Sequence, residues 1–141
     1  DAMMQVFRVN AVIPLMWVKA LLPVLSGEQA CVLSVFSARV GSIGDNRLGG
    51  WYSYRASKAA LNMLLKTASI EYARRASNVK LISFHPGTTD TPLSKPFQGS
   101  VPDGKLFSPD FVAKQLLKIM RQVDPSSGLE YLDWQGQTIQ W

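Results

Sequence analysis

One cysteine and one histidine occur among 141 residues, and that scarcity closes several routes at once. A lone Cys31 excludes an internal disulfide and suits a reducing compartment; its place at the head of an apolar run points to burial and not to reactivity. With His85 as the sole imidazole there is no cluster of metal ligands. A serine hydrolase is excluded too, since no G-x-S-x-G elbow accompanies that histidine. Basic residues are not scarce, 15 Lys and Arg against 10 Asp and Glu for a net charge of +5, but they are scattered, with Arg74-Arg75 the sole adjacent pair. No basic stripe or reading motif is present, so nucleic acid is not an expected partner. Long uncharged apolar runs are missing as well. Arg8, Asn10 and Lys19 interrupt the opening segment before it reaches the roughly 20 residues of a membrane span, and a membrane is not an expected partner either. Internal repeats and low-complexity segments are absent. A cytoplasmic protein is the expectation.

What is present is ordinary in bulk and ordered in pattern. A hydrophobic fraction of 47% with 18% charged residues fits one globular domain over residues 1–141. From about Ala2 to Leu25 runs an apolar helix with Pro14 inside it, which should kink it or release a hydrogen bond. Ser26-Gly27-Glu28-Gln29 makes a turn, and Ala30 to Phe36 reads as a parallel strand covered on both faces. A polar loop from Gly41 to Gly50 leads to a helix over about Ser53–Arg75. Val79 to Phe84 reads as a second buried strand, ended by Pro86-Gly87. Gly99 to Gly104 looks loose. Ser108-Pro109-Asp110 has the chemistry of a helix start, that helix runs to about Val123, and Leu129 to Leu132 reads as a third short strand. Strands alternating with helices imply right-handed crossovers and a parallel α/β sheet.

Tyr54-Arg55-Ala56-Ser57-Lys58 opens the second long helix and carries the chemistry. Four residues apart, the phenol and the ammonium project from one face. A phenol is a poor acid or base at neutral pH, with an ordinary pKa of about 10. A fixed positive charge close by favours its ionised form and should bring it towards the working range. That pairing suits proton exchange with a carbonyl or an alcohol.

Gly41-Ser42-Ile43, the run Gly49 to Asn62 with its G-G-x-Y-x-Y-R-x-S-K-x-A-L-N pattern, His85-Pro86-Gly87 and the ending Tyr131 to Trp141 follow one another in an order that closely resembles the C-terminal half of a short-chain dehydrogenase/reductase, in the C-factor and sniffer-like carbonyl reductase subgroup. The likeness spans nearly the whole chain. It implies a Rossmann-like fold, here its C-terminal half with about three strands and flanking helices. It also implies an oxidoreductase that moves hydride between NADP or NAD, with NADP favoured, and a small-molecule carbonyl or alcohol. By this resemblance Tyr54 is the acid/base. Lys58 lowers the pKa of Tyr54 and binds the nicotinamide ribose, and Asn10 supports a water-linked proton path to Lys58. Pro86, Gly87 and Thr91 match the P-G-x-x-x-T turn that holds the carboxamide.

The chain departs from the family pattern in two places. The substrate-orienting Ser is expected three residues before Gly41, where Ala38 stands. Ser37 and Ser42 are the neighbouring hydroxyls, and Ser37 is the preferred substitute. The glycine-rich phosphate turn is also absent, since no G-x-x-x-G-x-G or G-x-G-x-x-G occurs and only such a turn lets backbone approach a pyrophosphate at a helix N-terminus. The chain enters at Asp1 directly on a mid-fold helix, so a fragment or truncated product is expected. The strand Cys31–Phe36 would then have an open edge, a template for self-association, and a homo-oligomer is expected. A truncated non-catalytic dimerisation or signalling module is the alternative function.

Overall fold

The apolar runs become parallel strands because both of their faces are covered by helices. In the computed structural model, which describes residues 1–126 and 128–141, Cys31–Phe36 (β1), Val79–His85 (β2) and Gly128–Asp133 (β5) form a parallel sheet in the order β1-β2-β5. Ser37 sits just beyond β1 yet continues its ladder, its amide donating to the Phe84 carbonyl at 2.8 Å. The far edge of β5 is partly covered by the chain's own end, where Ile139 N donates to the Tyr131 carbonyl and Asp133 N to that of Gln137. Strand β1 pairs with β2 alone among the described strands.

Two helical layers sandwich the sheet. On one face lie Ala2–Phe7 (α1), Ile13–Leu25 (α2) and the 24-residue helix Tyr52–Arg75 (α3), which join Val18, Leu22, Leu61, Leu65 and Tyr72 to Val79 and Leu81 of the sheet. On the other face Pro109–Gln122 (α4) sets Val112 and Ile119 against Ile82, Phe84 and Leu132. The N-cap of α4 is as expected, with the Ser108 side chain accepting from the Phe111 amide at 3.1 Å.

The perturbation expected at Pro14 takes a definite form. Between α1 and α2 the chain winds as a π-helix over Arg8–Val12, in which the Ile13 amide reaches back five residues to the Arg8 carbonyl. Proline has no amide to give the carbonyl four residues back and its ring crowds that group, so the wider turn is placed just before it. The composite helix Ala2–Leu25 is long and apolar enough to cross a membrane, at 24 residues and a mean hydropathy of 1.4. This corrects the reading by uncharged runs, since three polar residues dilute the apolar character of the segment too little to fail that test. In this structure its Ala11, Val18 and Leu22 face is core, and the Tyr72 hydroxyl ties it to α3 through the Val18 carbonyl at 2.6 Å.

Gly99 to Gly104, expected to be loose, shares only its first two residues with a regular element, and the short structure lies on either side of it. Thr88–Thr89 (β3) pairs in parallel with Leu106–Phe107 (β4), and Lys95–Ser100 forms a 3-10 turn. This small ribbon extends from the end of β2 and shapes the turn that follows it.

Candidate active site

Helix α3 delivers Tyr54 and Lys58 to the C-terminal end of β1. Gly41 allows this approach, because a Cβ there would sit 2.8 Å from the backbone carbon and the Cβ of Lys58. The Lys58 ammonium donates to the Phe36 carbonyl at 3.0 Å, while Tyr54 remains 40% exposed. Asn10 joins them from the π-helical turn. Its Nδ2 donates to the Ser57 hydroxyl at 3.1 Å, and Ser57 in turn donates to the Tyr54 carbonyl at 2.9 Å. Asn10 is therefore joined through the fully buried Ser57 to the helix turn that carries Tyr54 and, four residues on, Lys58. Sequence reading passed over Ser57; its signal was a hydroxyl in the buried stripe Ser57, Leu61, Leu65, Ala68, where an apolar residue is the default.

The expected lowering of the Tyr54 pKa by Lys58 is not what this arrangement gives. Burial pushes the Tyr54 phenol above its ordinary value and the Lys58 ammonium below its own, because desolvation disfavours the charged form of each. The ammonium is bound to a backbone carbonyl, and the sequence spacing carried no information about either effect.

The serines also depart from expectation. Ser37 is 4% exposed and its hydroxyl donates to Asn62 Oδ1 at 2.7 Å, beside Ser83, which donates to the same oxygen at 2.8 Å. Its one proton is spent inside the core, so the structure does not offer Ser37 as the substitute donor. Ser42 is equally committed, donating to the Gln140 carbonyl and accepting from the Asp45 amide. Ala38 itself is buried, with its carbonyl held by the Tyr131 hydroxyl at 2.6 Å.

Beyond β2 the chain turns at Pro86-Gly87. Gly87 has φ +73°, and a Cβ on it would meet the Phe107 ring at 2.7 Å and Trp134 at 3.2 Å. Phe107, Phe111 and Trp134 form a three-ring cluster with centroids 4.4 to 5.8 Å apart, so the turn is clamped against an aromatic floor. The turn's exit is fixed as well. The Asp90 amide donates to the Phe107 carbonyl at 2.8 Å, and the Thr91 amide donates to Ser94 Oγ at 3.2 Å. Within it Thr89 Oγ1 is buried without a partner among the described residues. An unspent hydroxyl between Gly87 and Thr91 is the kind of group that can pair with an amide, so the residues present fit the carboxamide end of a nicotinamide.

His85, just before the turn, is packed and not poised as a base. Its Nδ1 is buried without a partner among the described residues, and burial, reinforced by the nearby Arg39 guanidinium, pulls its pKa down to about 4. Arg39 spans Asp45 at 3.3 Å and the buried Asp133 at 3.0 Å. Among the described residues no group of three or more His, Cys, Asp or Glu is placed to hold a metal ion.

The sequence matches the family model described as short chain dehydrogenase over residues 1–100. The chain belongs to the short-chain dehydrogenase family. It is 30% identical over 141 residues to 1-hydroxy-2-glutathionyl-2-methyl-3-butene dehydrogenase of Rhodococcus sp. (strain AD45), covering 100% of this chain and 59% of that protein. It is 32% identical over 139 residues to C-signal of Myxococcus xanthus, covering 99% of this chain and 78% of that protein. Among solved structures, this short-chain dehydrogenase chain is similar to the NADPH-bound carbonyl reductase from chicken fatty liver, with a TM-score of 0.81, 30% identity and coverage of 99% and 57%. It is also similar to a carbonyl reductase from Pseudomonas aeruginosa PAO1, with a TM-score of 0.77, 26% identity and coverage of 100% and 57%. The chain thus spans little more than half the length of these solved relatives.

Proposed function

We propose that this chain supplies the acid–base part of an oxidoreductase that interconverts a small-molecule carbonyl and alcohol with NADP(H) or NAD(H), NADP being favoured. The observation that carries the reading is Lys58 bonded at the end of β1, four residues after Tyr54 on the same helix, with Asn10 bonded through Ser57 to the turn that bears the phenol. An NADPH-bound carbonyl reductase among the solved relatives supports it.

When bound, the nicotinamide supplies or accepts the hydride. Lys58 and the turn Pro86, Gly87 and Thr91 would hold its ribose and carboxamide, with Thr89 Oγ1 as an added partner. The chain's own task is the proton. Tyr54 Oη gives it to the carbonyl oxygen in reduction and recovers it in oxidation. Burial makes the neutral phenol a weaker acid, so its donation depends on a Lys58 ammonium moved from the Phe36 carbonyl towards the phenol, where it would stabilise the phenolate left behind. Asn10 and Ser57 fix the helix end that aims both groups.

Ser37 is the weakest member of the expected set. With its proton on Asn62, the substrate oxygen lacks a second donor, a loss worth on the order of 10²-fold in rate. That observation favours the non-catalytic alternative, as does the absence of a glycine-rich phosphate turn from these 141 residues. The decisive test joins this chain to the amino-terminal region its relatives carry and measures NADPH binding, by energy transfer from tryptophan, together with turnover. Binding with turnover that Tyr54→Phe abolishes supports the reading, and turnover that survives this change overturns it. Homo-oligomer formation belongs to the same proposal, on the unpaired edge of β1. Light scattering that gives a monomer at micromolar concentration would count against it.

A further inference from the structure

Trp51 is the single non-glycine residue with a left-handed backbone among those described, at φ 50° and ψ 44°. It follows Gly49 and Gly50, which also have positive φ, 65° and 68°. Three residues in succession thus take a conformation that is costly for a residue with a side chain. Strain of this kind persists where the surroundings enforce it, and it clusters at working surfaces. Arg55 is the enforcer here. Its Nε donates to the Gly49 and Gly50 carbonyls at 3.1 and 3.0 Å, and its guanidinium lies 5.9 Å from the Trp51 ring.

The strain does not serve burial, for Trp51 stays 57% exposed. Its ring instead meets Phe97 edge-on, with centroids 6.4 Å apart, and Phe97 is itself 58% exposed. The two rings come from separate segments that both run into the candidate site. Trp51 is three residues before Tyr54, and Phe97 is six residues after Thr91. The cations of these segments are already engaged, Arg55 by the glycine carbonyls and Lys95 by Asp90 at 3.6 Å. Leu93, four residues before Phe97, is 86% exposed and adds a further apolar side chain to that segment's surface.

We propose that Trp51 and Phe97 are specificity-determining residues forming a wall that receives the aromatic substituent of the carbonyl substrate. The carbonyl itself rests on the oxidoreductase reading above. Two rings already edge-on to each other leave faces and edges for a third, and each such aromatic contact adds to binding beyond its buried area. The wall therefore prefers a phenyl-bearing ketone to a small aliphatic one.

The test is ligand-observed saturation-transfer NMR on the intact chain, with acetophenone and 2-butanone as probes. The variants are Trp51→Gly and Phe97→Ala. Glycine at position 51 removes the ring while relieving the backbone strain, so its melting temperature should equal or exceed that of the parent chain, which separates loss of the wall from loss of the fold. The expected result is saturation of the acetophenone ring protons by the parent chain, at least fivefold weaker in either variant, with the 2-butanone signal unaltered. Absence of acetophenone binding by the parent chain, equal binding by all three chains, or equal loss for both probes overturns the proposal. This readout does not depend on hydride transfer, so failure of the acid–base reading, seen as turnover that survives Tyr54→Phe, is a separate outcome.

Discussion

The two turns at the end of the sheet are held by opposite means. The one at the head of α3 is held by a chain of polar contacts, from Asn10 through Ser57 to the Tyr54 carbonyl and from Lys58 to the Phe36 carbonyl. The one after β2 is held by rings, with Phe107 and Trp134 closed against Gly87. Hydrogen bonds to backbone fix where a helix end points while leaving the phenol 40% exposed, as a group that must exchange a proton requires. Aromatic packing fixes the backbone itself, as would suit a turn proposed to bind through its own hydroxyls. One side is built to be reached and the other is built not to move.

The largest expected break in this contrast is Tyr54→Phe. Removing one partly exposed hydroxyl should leave the melting temperature within 2–3 °C, since surface changes are usually within about 0.5 kcal/mol. Turnover should fall by about 10³-fold or more if the phenol is the sole proton donor. The braced side should respond in the reverse sense. Gly87→Ala must place a Cβ 2.7 Å from the Phe107 ring at a φ of +73°, so the strain of the left-handed backbone, about 1–2 kcal/mol, adds to displacement of the ring cluster, about 1–3 kcal/mol. We expect thermal unfolding to reveal a loss of roughly 2–4 kcal/mol, with nicotinamide binding weakened along with it. A Gly87→Ala chain as stable as the parent would show that the rings do not clamp the turn.

How much of this was readable beforehand divides along the same line. The polar side announced itself, because Tyr54 and Lys58 share a local spacing and Asn10 is a lone amide amid Val9, Ala11, Val12 and Ile13. The strands β1, β2 and β5 were visible as apolar runs, within a residue or two of their observed ends. The aromatic brace was invisible, since Phe107 and Trp134 stand 20 and 47 residues beyond Gly87 and only tertiary pairing brings them over it. The two-residue strands β3 and β4 are too short to carry a period. Ser37 was misread for a reason of parity. Its amide continues the β1 ladder, where successive side chains alternate in direction, so the hydroxyl one position from Ala38 points inward to Asn62. The pKa directions of Tyr54 and Lys58 depend on desolvation, which residue spacing does not encode.

The braced side carries a pH signature in the acid range, whereas the shifted groups of the polar side, Tyr54 and Lys58, titrate on the alkaline side. The pKa of His85 is pulled from 6.5 to about 4 by burial and by Arg39. A depressed folded value means that the stability is fully present above the unfolded pKa and is lost as the pH falls from about 6.5 towards 4, because the unfolded chain takes up the proton first. A fall from 6.5 to about 4 corresponds in full to about 3.4 kcal/mol, of which about 2–3 kcal/mol is lost between pH 7 and pH 4.5. Denaturant unfolding at pH 7 and pH 4.5 should therefore differ by up to this amount in the parent chain. His85→Asn, which cannot take up the proton, should flatten that difference. An unchanged pH profile in His85→Asn would show that His85 does not carry the acid sensitivity.

The smallest expected effect sharpens the comparison by adding to it. Ala38 stands where the family places its substrate-orienting serine, and its backbone is already pinned, with its carbonyl accepting from the Tyr131 hydroxyl and also from the Gly41 amide at 2.9 Å. Ala38→Ser should therefore supply the donor that Ser37 and Ser42 have spent elsewhere. Because Ala38 is 7% exposed, the added hydroxyl needs a partner, and without a bound carbonyl it should leave stability unchanged or lower it by about 1 kcal/mol. With a carbonyl bound, one preorganised hydrogen bond to its oxygen should raise turnover by about 10-fold, below the 10²-fold reported for removing a donor from an optimised site, since nothing here has been shaped around the new group. The gain should vanish in the background of Tyr54→Phe, because orienting the oxygen helps only when a proton is there to meet it. A serine at position 38 that changes turnover equally with and without the phenol would mean that it acts on folding and not on the substrate oxygen.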